Sequence, residues 1–268
     1  GLDMVKRRNP VLMSSVTFYD GYPEILRDEY DFAFAILKGS SAIDEFDRSF
    51  YITMQHQYVN SSNIITKVDY KLEKCDHLKN DTGFTKELLA PIENYYCLPK
   101  EFKASIIASK TRPEYSNLCF EMSYCKNSTN NGTCRPRPID TTYYIHFMYK
   151  DNYVDSSDYE NPIKNYWDGE RIRTSSSFDN SNAYRFQKME YVSDNGIILR
   201  DTIKYNSFSL LRKESAIISN PASLRMFYIT VDLSRFITIH SRYYQKVQRI
   251  AADAGGIIQF FSILLTVV

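Results

Sequence analysis

Apolar and polar positions alternate along most of this chain, and alternation with a period of two is the signature of half-buried β-strands. Residues 32–37 (FAFAIL) read as a strand. Residues 49–59 (SFYITMQHQYV) set Phe50, Ile52, Met54, His56 and Tyr58 on one face. The same rule holds over residues 64–72, 118–125, 142–149 (TYYIHFMY) and 224–231 (LRMFYITV). Asn195-Gly196 falls between two such runs and predicts a tight hairpin, because both residue types tolerate positive φ. Residues 151–183 are polar and turn-rich, which predicts a long excursion from the sheet. Helical patterns are few: a short piece near 84–91, and 241–253 with Ser241 as a candidate cap. The predicted fold is mainly β, an antiparallel β-sandwich-like ectodomain, with a short C-terminal helix that enters a truncated transmembrane helix. The predicted division is 1–240 for the β domain and 241–268 for the juxtamembrane helix and the start of the membrane helix.

The last segment carries that membrane reading. From Gly255 the chain runs GGIIQFFSILLTVV, with no charge after Asp253. A bilayer core needs about 20 helical residues, so the run predicts a membrane helix of which only the first part is present. Gln259, Ser262 and Thr266 recur at helical spacing and form a polar face. Lipid cannot satisfy such a stripe, so it predicts packing against neighbouring helices, or a pore lining built from several copies. Lys6, Arg7 and Arg8 near one end, with Arg242, Lys246 and Arg249 near the other, could sit among anionic headgroups; ordinary solvated charge is the equal alternative.

Composition adds the compartment. Of 268 residues, 22 are Tyr and 16 Phe, which suits strands with half-wet surfaces. A net charge of +1 gives no case for nucleic acid as a partner. All five cysteines lie within 60 residues. Cys125 and Cys134 bracket the polar segment KNSTNNGT, which carries two N-glycosylation sequons, at Asn127 and Asn131. A hydrophilic tip of that kind needs a staple, so Cys125–Cys134 is the first predicted disulfide. Cys75–Cys97 is the second, closing a loop around the sequon at Asn80; Cys119 then stands alone as a buried strand residue or an interchain partner. A fourth sequon lies at Asn60. The count of four barely exceeds chance, and the cysteine-bounded pair is the stronger sign of a secretory-pathway glycoprotein. No C-x-x-C occurs and the four histidines are scattered, so neither metal nor cofactor is expected. The hydrolase elbow, the zincin motif and the phosphate loop are absent, so no catalytic residue is predicted and the chain reads as a non-enzyme.

Three families share features with this pattern. The tail IAADAGGIIQFFSILLTVV, with Asp253, Gly255 and Gly256, resembles the start of the second membrane helix of epithelial sodium and acid-sensing channels, which implies an oligomeric cation channel. Those channels have larger, more cysteine-rich ectodomains. The order EYDFAFAIL, ENYYC, YCKNSTNNGTC, the DNG turn and YYQKVQRIAADAGGI resembles two-pass surface proteins of ciliated protists, which implies one ectodomain between two membrane helices. Early secretory pathway cargo receptors are similar in plan. The expectation is a membrane-anchored, N-glycosylated domain with a structural or interaction role: surface assembly, adhesion, or a subunit of a larger complex. Channel or receptor subunit and cargo receptor are the alternatives. Expected partners are the membrane, N-linked glycans and a homo- or hetero-oligomer with other membrane proteins. The expected place is the plasma or ciliary membrane with the domain outside, or a secretory-pathway membrane with the domain in the lumen.

Overall fold

A computed structural model describes residues 11–18, 23–26, 29–38, 41–42, 50–108, 114–124, 142–158, 160–175, 177–196, 201–219 and 225–244, with Ala252, Gly255, Gly256 and Gln259 beyond them. The strands are β1 (Val11–Phe18), β2 (Glu24–Ile25), β3 (Phe32–Lys38), β4 (Ser41–Ala42), β5 (Phe50–Val59), β6 (Ile65–Tyr70), β7 (Glu73–Lys74), β8 (Tyr96–Cys97), β9 (Ile106–Ile107) and β10 (Tyr115–Tyr124). They continue with β11 (Thr142–Val154), β12 (Ile163–Ser175), β13 (Phe178–Asp194), β14 (Thr202–Ser219) and β15 (Arg225–Tyr243). A short helix α1 (Thr82–Lys86) lies in the segment between β7 and β8.

The fold is mainly β. Thirteen strands form one sheet in the order β6-β5-β10-β15-β13-β12-β11-β3-β8-β7, with β1 added on β15, β14 on β13 and β4 on β3; β2 and β9 pair separately. The link between β13 and β12 is a single residue pair, Ser175 with Phe178, at their hairpin turn. There the sheet doubles back, and rings from strands that are not ladder neighbours meet across its concave side. Phe34 on β3 lies 4.6 Å from Phe120 on β10, Phe147 on β11 lies 4.7 Å from Tyr184 on β13, and Phe50 on β5 lies 5.0 Å from Tyr143 on β11. Phe32, Phe34 and Ile36 enter this core, whereas the intervening Ala33 and Ala35 face the other side of the sheet.

The predicted antiparallel sandwich therefore needs correction: the two faces of the core belong to one curled sheet. One central pair is parallel, since β13 and β15 run together from Asn180–Phe227 to Asp194–Tyr243. β14 returns antiparallel along one side of β13, so β15 comes back on its other side in the direction of β13. The predicted excursion at 151–183 is also corrected. It is built from the end of β11, all of β12 and the start of β13. Only Trp167, Ile172, Thr174 and Ser175 of β12 are buried, so its pattern has little apolar content to detect. At 195–196 the hairpin exists but is longer than two residues: Asn195 N–H bonds to Asp201 C=O, and Asp194 Oδ1 accepts from Gly196 and Asp201 N–H. Asn195 is not in the left-handed region; among the described non-glycine residues that conformation belongs to Asn63, with φ 57°, in the β5–β6 turn.

β15 runs through Tyr243, three residues past the predicted domain boundary at 240. Ser241, Arg242 and Tyr243 pair with β1 on one side and β13 on the other, so Ser241 is a strand residue and not a helix cap. Arg242 is 1% exposed and donates to Ser193 Oγ at 3.0–3.1 Å; it is not part of a solvated or membrane-facing basic cluster.

Candidate functional site

The most irregular place in the sheet lies midway along β15. Phe186 pairs with Leu233, but the next registered pair is Lys188 with Ile237, so Ser234, Arg235 and Phe236 stand opposite Gln187 alone. Such bulges interrupt pairing and re-aim side chains, and they are enriched beside functional sites. On the other edge of β15, pairing with β10 ends at Leu118–Val231, and pairing with β1 begins at Phe18–Phe236. Among the described residues, 232–235 have no ladder partner on that side. A cleft of about 720 Å³ opens at this gap, with Tyr115, Asn117, Arg185, Asp232, Arg235 and Phe236 in its lining.

Local hydrogen bonds fix the walls. Ser234 Oγ accepts from Phe236 N–H at 3.2 Å and so holds the bulge. Buried Ser116 donates to Ser105 C=O and accepts from Ile107 N–H, which ties β9 to the start of β10. Asn117 donates to Asp232 Oδ1 at 3.3 Å, and Asp232 Oδ2 lies 4.0 Å from Arg185 Nη2. The described lining offers guanidinium, carboxylate, amide and hydroxyl groups beside aromatic rings. Among the described lining residues no nucleophile is hydrogen-bonded to a base.

A second polar cluster closes the curled sheet. Asp151 on β11 is 5% exposed; its Oδ1 accepts from the backbone N–H of Asn152 and Leu210, and its Oδ2 from Tyr166 OH. Asn152 Nδ2 donates to Phe208 C=O, and Lys213 of β14 pairs with Glu170 of β12. Burial pushes Asp151 above the usual carboxylate range. It raises the Tyr149 phenol too, whose hydroxyl donates to Asp168, and pushes Tyr166 up to about 12. The carboxylate of Asp151 accepts three bonds and ties β11 to β12 and β14, which makes the cluster a clasp.

The structure joins Cys75 to Cys97. The segment between them covers the outer side of β3, β11 and β12: Leu78, Phe84 and Tyr95 pack on Ala33, Ala35, Met148 and Trp167. Small alanines on β3 make room for these rings. Asp81 caps α1 by accepting from Phe84 N–H, and it also accepts from the Trp167 indole at 3.0 Å. Burial works to raise its pKa, but these bonds outweigh it and hold the carboxyl below its usual value. Asn80 is exposed at the outer turn of this cap, directly before α1. Asn60 is half-buried in the β5–β6 turn, and its Oδ1 accepts from Ser62 and Ile64 N–H. Cys119 is a free, buried thiol on β10. Asn127, Asn131 and the Cys125–Cys134 pair lie outside the described residues, as do Ser262 and Thr266; Gln259 is helical and exposed. Among the described residues no helix is long and apolar enough to cross a membrane.

Sequence reasoning missed the cleft and the clasp. The cleft left one trace, an arginine at position 235 where the odd-numbered run Phe227, Ile229, Val231, Leu233 calls for an apolar residue. It also missed His146, whose Nδ1 lies 2.6 Å from Tyr95 OH beneath the cap; burial first, then the Arg171 charge, lowers its pKa to about 4.

Residues 33–234 match the family described as "Uncharacterised 80 kDa protein N-terminal domain". The chain belongs to that family. The matched span takes in the cap, the clasp and β15 as far as its bulge. Comparison with curated proteins finds no match. Among solved structures, the chain is similar to one titled "Crystal Structure of Erv41p", at 10% identity and TM-score 0.30, covering 85% of this chain and 99% of that one. It is also similar to one titled "Cryo-EM structure of a proton-activated chloride channel", at 13% identity and TM-score 0.35, covering 97% of this chain and 84% of that one. At those TM-scores neither likeness bears on what this chain does.

Proposed function

We propose that this family member is a non-catalytic interaction domain, N-glycosylated, facing the lumen or the cell exterior, and held at a membrane through the apolar segment that follows β15. One observation carries the reading: the cap is closed by the Cys75–Cys97 disulfide and presents a sequon asparagine, Asn80, at its exposed outer turn. Disulfides persist in oxidising compartments, which are also where sequons are used. The cleft at the β15 bulge supports a binding role, because it offers recognition groups on a rigid frame. The uncharged run from Gly255 onward supports membrane attachment.

The test is to express the full protein in a eukaryotic secretory cell, treat it with an N-glycosidase, and fractionate membranes at alkaline pH. The reading expects a gel shift that shrinks in Asn80→Gln, retention in the membrane pellet, and protected Cys75 and Cys97 thiols. A soluble chain with both thiols free and no shift refutes it. Crosslinking in intact membranes then decides whether its partners are copies of itself or other membrane proteins.

A further inference from the structure

We infer that the outer edge of β6 is a self-association surface. A second copy of this chain lays its own β6 antiparallel along it, about a two-fold axis at Val68, with Lys67 of each copy opposite Asp69 of the other. The inference rests on the reading of the chain as an interaction domain and names one surface and its partner.

The shape of the edge is the first argument. β6 ends the sheet order and is bonded to β5 alone. Its pairing runs without a shift from Met54–Tyr70 to Val59–Ile65, so it carries no bulge that would turn the edge away. It contains no proline, and five of its six residues are exposed. Ile64, Ile65 and Val68 are 59%, 57% and 41% exposed. Such an edge offers main-chain N–H and C=O groups to any strand laid beside it. The β5–β6 turn holds it in place: Asn60 N–H bonds to Ile64 C=O, and Asn60 Oδ1 accepts from Ser62 and Ile64 N–H. The strand and both its flanks lie within residues 50–108, all of them described.

Charge selects the occupant. Ile65, Lys67 and Asp69 share one face of β6. Thr66, Val68 and Tyr70 share the other, where Tyr70 meets the Phe102 ring at 4.9 Å. When two copies join edge to edge about an axis normal to the sheet, each face continues into its like. Only residues of the same face then stand opposite each other. With Val68 on the axis, Lys67 meets Asp69 of the second copy twice, and Thr66 meets Tyr70 twice. With Lys67 on the axis two ammonium groups face each other; with Asp69 there, two carboxylates do. Like charges directly opposite are destabilising, and axes nearer the strand ends pair fewer of its residues. The sequence of β6 thus favours one self-pairing register.

A lysine on an edge ordinarily discourages pairing. Here it discourages every edge that lacks a carboxylate at the right position, which makes it a specificity device. Asp69 is oriented for that role: its Oδ1 accepts from Gln55 Nε2 at 2.9 Å, and Gln57 Nε2 donates to Gln55 Oε1 behind it. Lys67 is exposed and forms no ion pair among the described residues. Six residues of strand span about 20 Å, a small interface. The pair is therefore weak between free chains and gains when one membrane holds both copies.

The test uses the full chain in detergent, its Cys75–Cys97 disulfide intact, in sedimentation velocity over a concentration series. The parent chain forms a dimer. Lys67→Asp and Asp69→Lys each set like charges opposite twice, and each weakens self-association about 10-fold. Both positions are exposed, and circular dichroism checks the fold. Mixed together, the two variants pair with each other as the parent pairs with itself, since each supplies the charge the other lacks. In intact membranes under mild oxidation, Val68→Cys crosslinks to its copy, because directly opposed residues have Cα atoms about 4.5–5.5 Å apart. Lys67→Cys, separated from its copy by a diagonal of about 7–8 Å, crosslinks no more than the parent chain does. A parent chain that stays monomeric in detergent and in membranes overturns the inference. So does a dimer that both single variants leave as tight as before, a mixture that associates no better than either variant alone, or a Val68→Cys crosslink to a different protein in place of a second copy. A glycosylated, membrane-held chain without this dimer sinks this inference alone; an unglycosylated, soluble chain that dimerises through β6 sinks only the broader proposal.

Discussion

Replacing Asp151 separates the two things its carboxylate does: accept hydrogen bonds and carry charge. Asp151→Asn keeps the shape. The amide oxygen still accepts from Asn152 and Leu210 N–H, and the amide nitrogen can donate to Tyr166, whose hydroxyl reverses its role. Asp151→Ala removes the acceptor and strands two backbone N–H groups beside a nearly buried site. Each such group costs about 1–3 kcal/mol, and relief of the buried charge offsets part of the sum, so the alanine variant loses about 2–4 kcal/mol. The asparagine variant stays within about 1 kcal/mol of the parent at neutral pH. The two chains also differ in pH response. Burial, the largest cause, raises the folded pKa of Asp151 above its unfolded 3.8. The aspartate's contribution is therefore fully present below 3.8 and is lost as pH rises through the folded pKa. On acidification from neutral pH the parent gains stability relative to Asp151→Asn. Urea denaturation of both chains in parallel, from about pH 7 to about pH 4, reads the difference and cancels every other titrating group. Parallel pH curves refute the charge argument. An asparagine variant as unstable as the alanine one at neutral pH refutes the hydrogen-bond argument.

Removing the disulfide with Cys75→Ser and Cys97→Ser frees a segment of sequence separation 22 and costs about 3 kcal/mol, read as a lower urea midpoint; an unchanged midpoint refutes the staple. Gly169→Ala places a Cβ 2.8 Å from His146 Nε2 and 3.1 Å from Met148 Cγ, both buried, and lowers stability by about 1–3 kcal/mol in thermal melts. If Gly169→Ala melts with the parent, the ring is not wedged there. His146 stays neutral down to about pH 4. As its folded pKa lies below the unfolded 6.5, its contribution is present above 6.5 and is lost as pH falls through 4; a ring-proton NMR midpoint near 6.5 excludes the buried setting.

What was legible followed from periodicity. β3, β5, β6, β10 and β11 each carry a two-residue alternation, and the structure places strands there. β12 was not legible, because Lys164, Tyr166, Asp168 and Glu170 occupy the face that alternation reserves for apolar residues. Those polar groups find partners in Asp158, Asp151, Tyr149 and Lys213, three of which lie on other strands. β15 was read only to Val231, since Ser234 and Arg235 look like a strand end; the strand continues because β13 and then β1 support it beyond the break. The parallel pairing of β13 with β15 has no local signature, since it follows from where β14 returns. Of the candidate sites, cysteine spacing located the cap. The cleft is made by a register shift, a property of two strands that neither shows alone.

Both breaks in the ladders of β13 fall within four residues. Against β14, Arg185 pairs with Arg212 and Phe186 with Leu210, so Leu211 is extra; against β15, the extra residues stand opposite Gln187. Two independent flaws at one height of one strand are better explained as a single bend of the curled sheet than as coincidence, because a bulge increases twist where a sheet must turn. The two sides of the bend are used differently. On the β14 side, Leu210 N–H next to the extra residue is taken up by Asp151. On the β15 side no described strand covers the gap, and Arg185 stands at its rim. Clasp and cleft thus meet at the same four residues of β13, Arg185–Lys188. Loosening the clasp with Asp151→Ala should raise hydrogen–deuterium exchange at the amides of residues 185–188, whereas Asp151→Asn should leave it unchanged. If the alanine variant, folded by circular dichroism, exchanges there as the parent does, the two breaks are mechanically separate and the bend is rigid without its clasp.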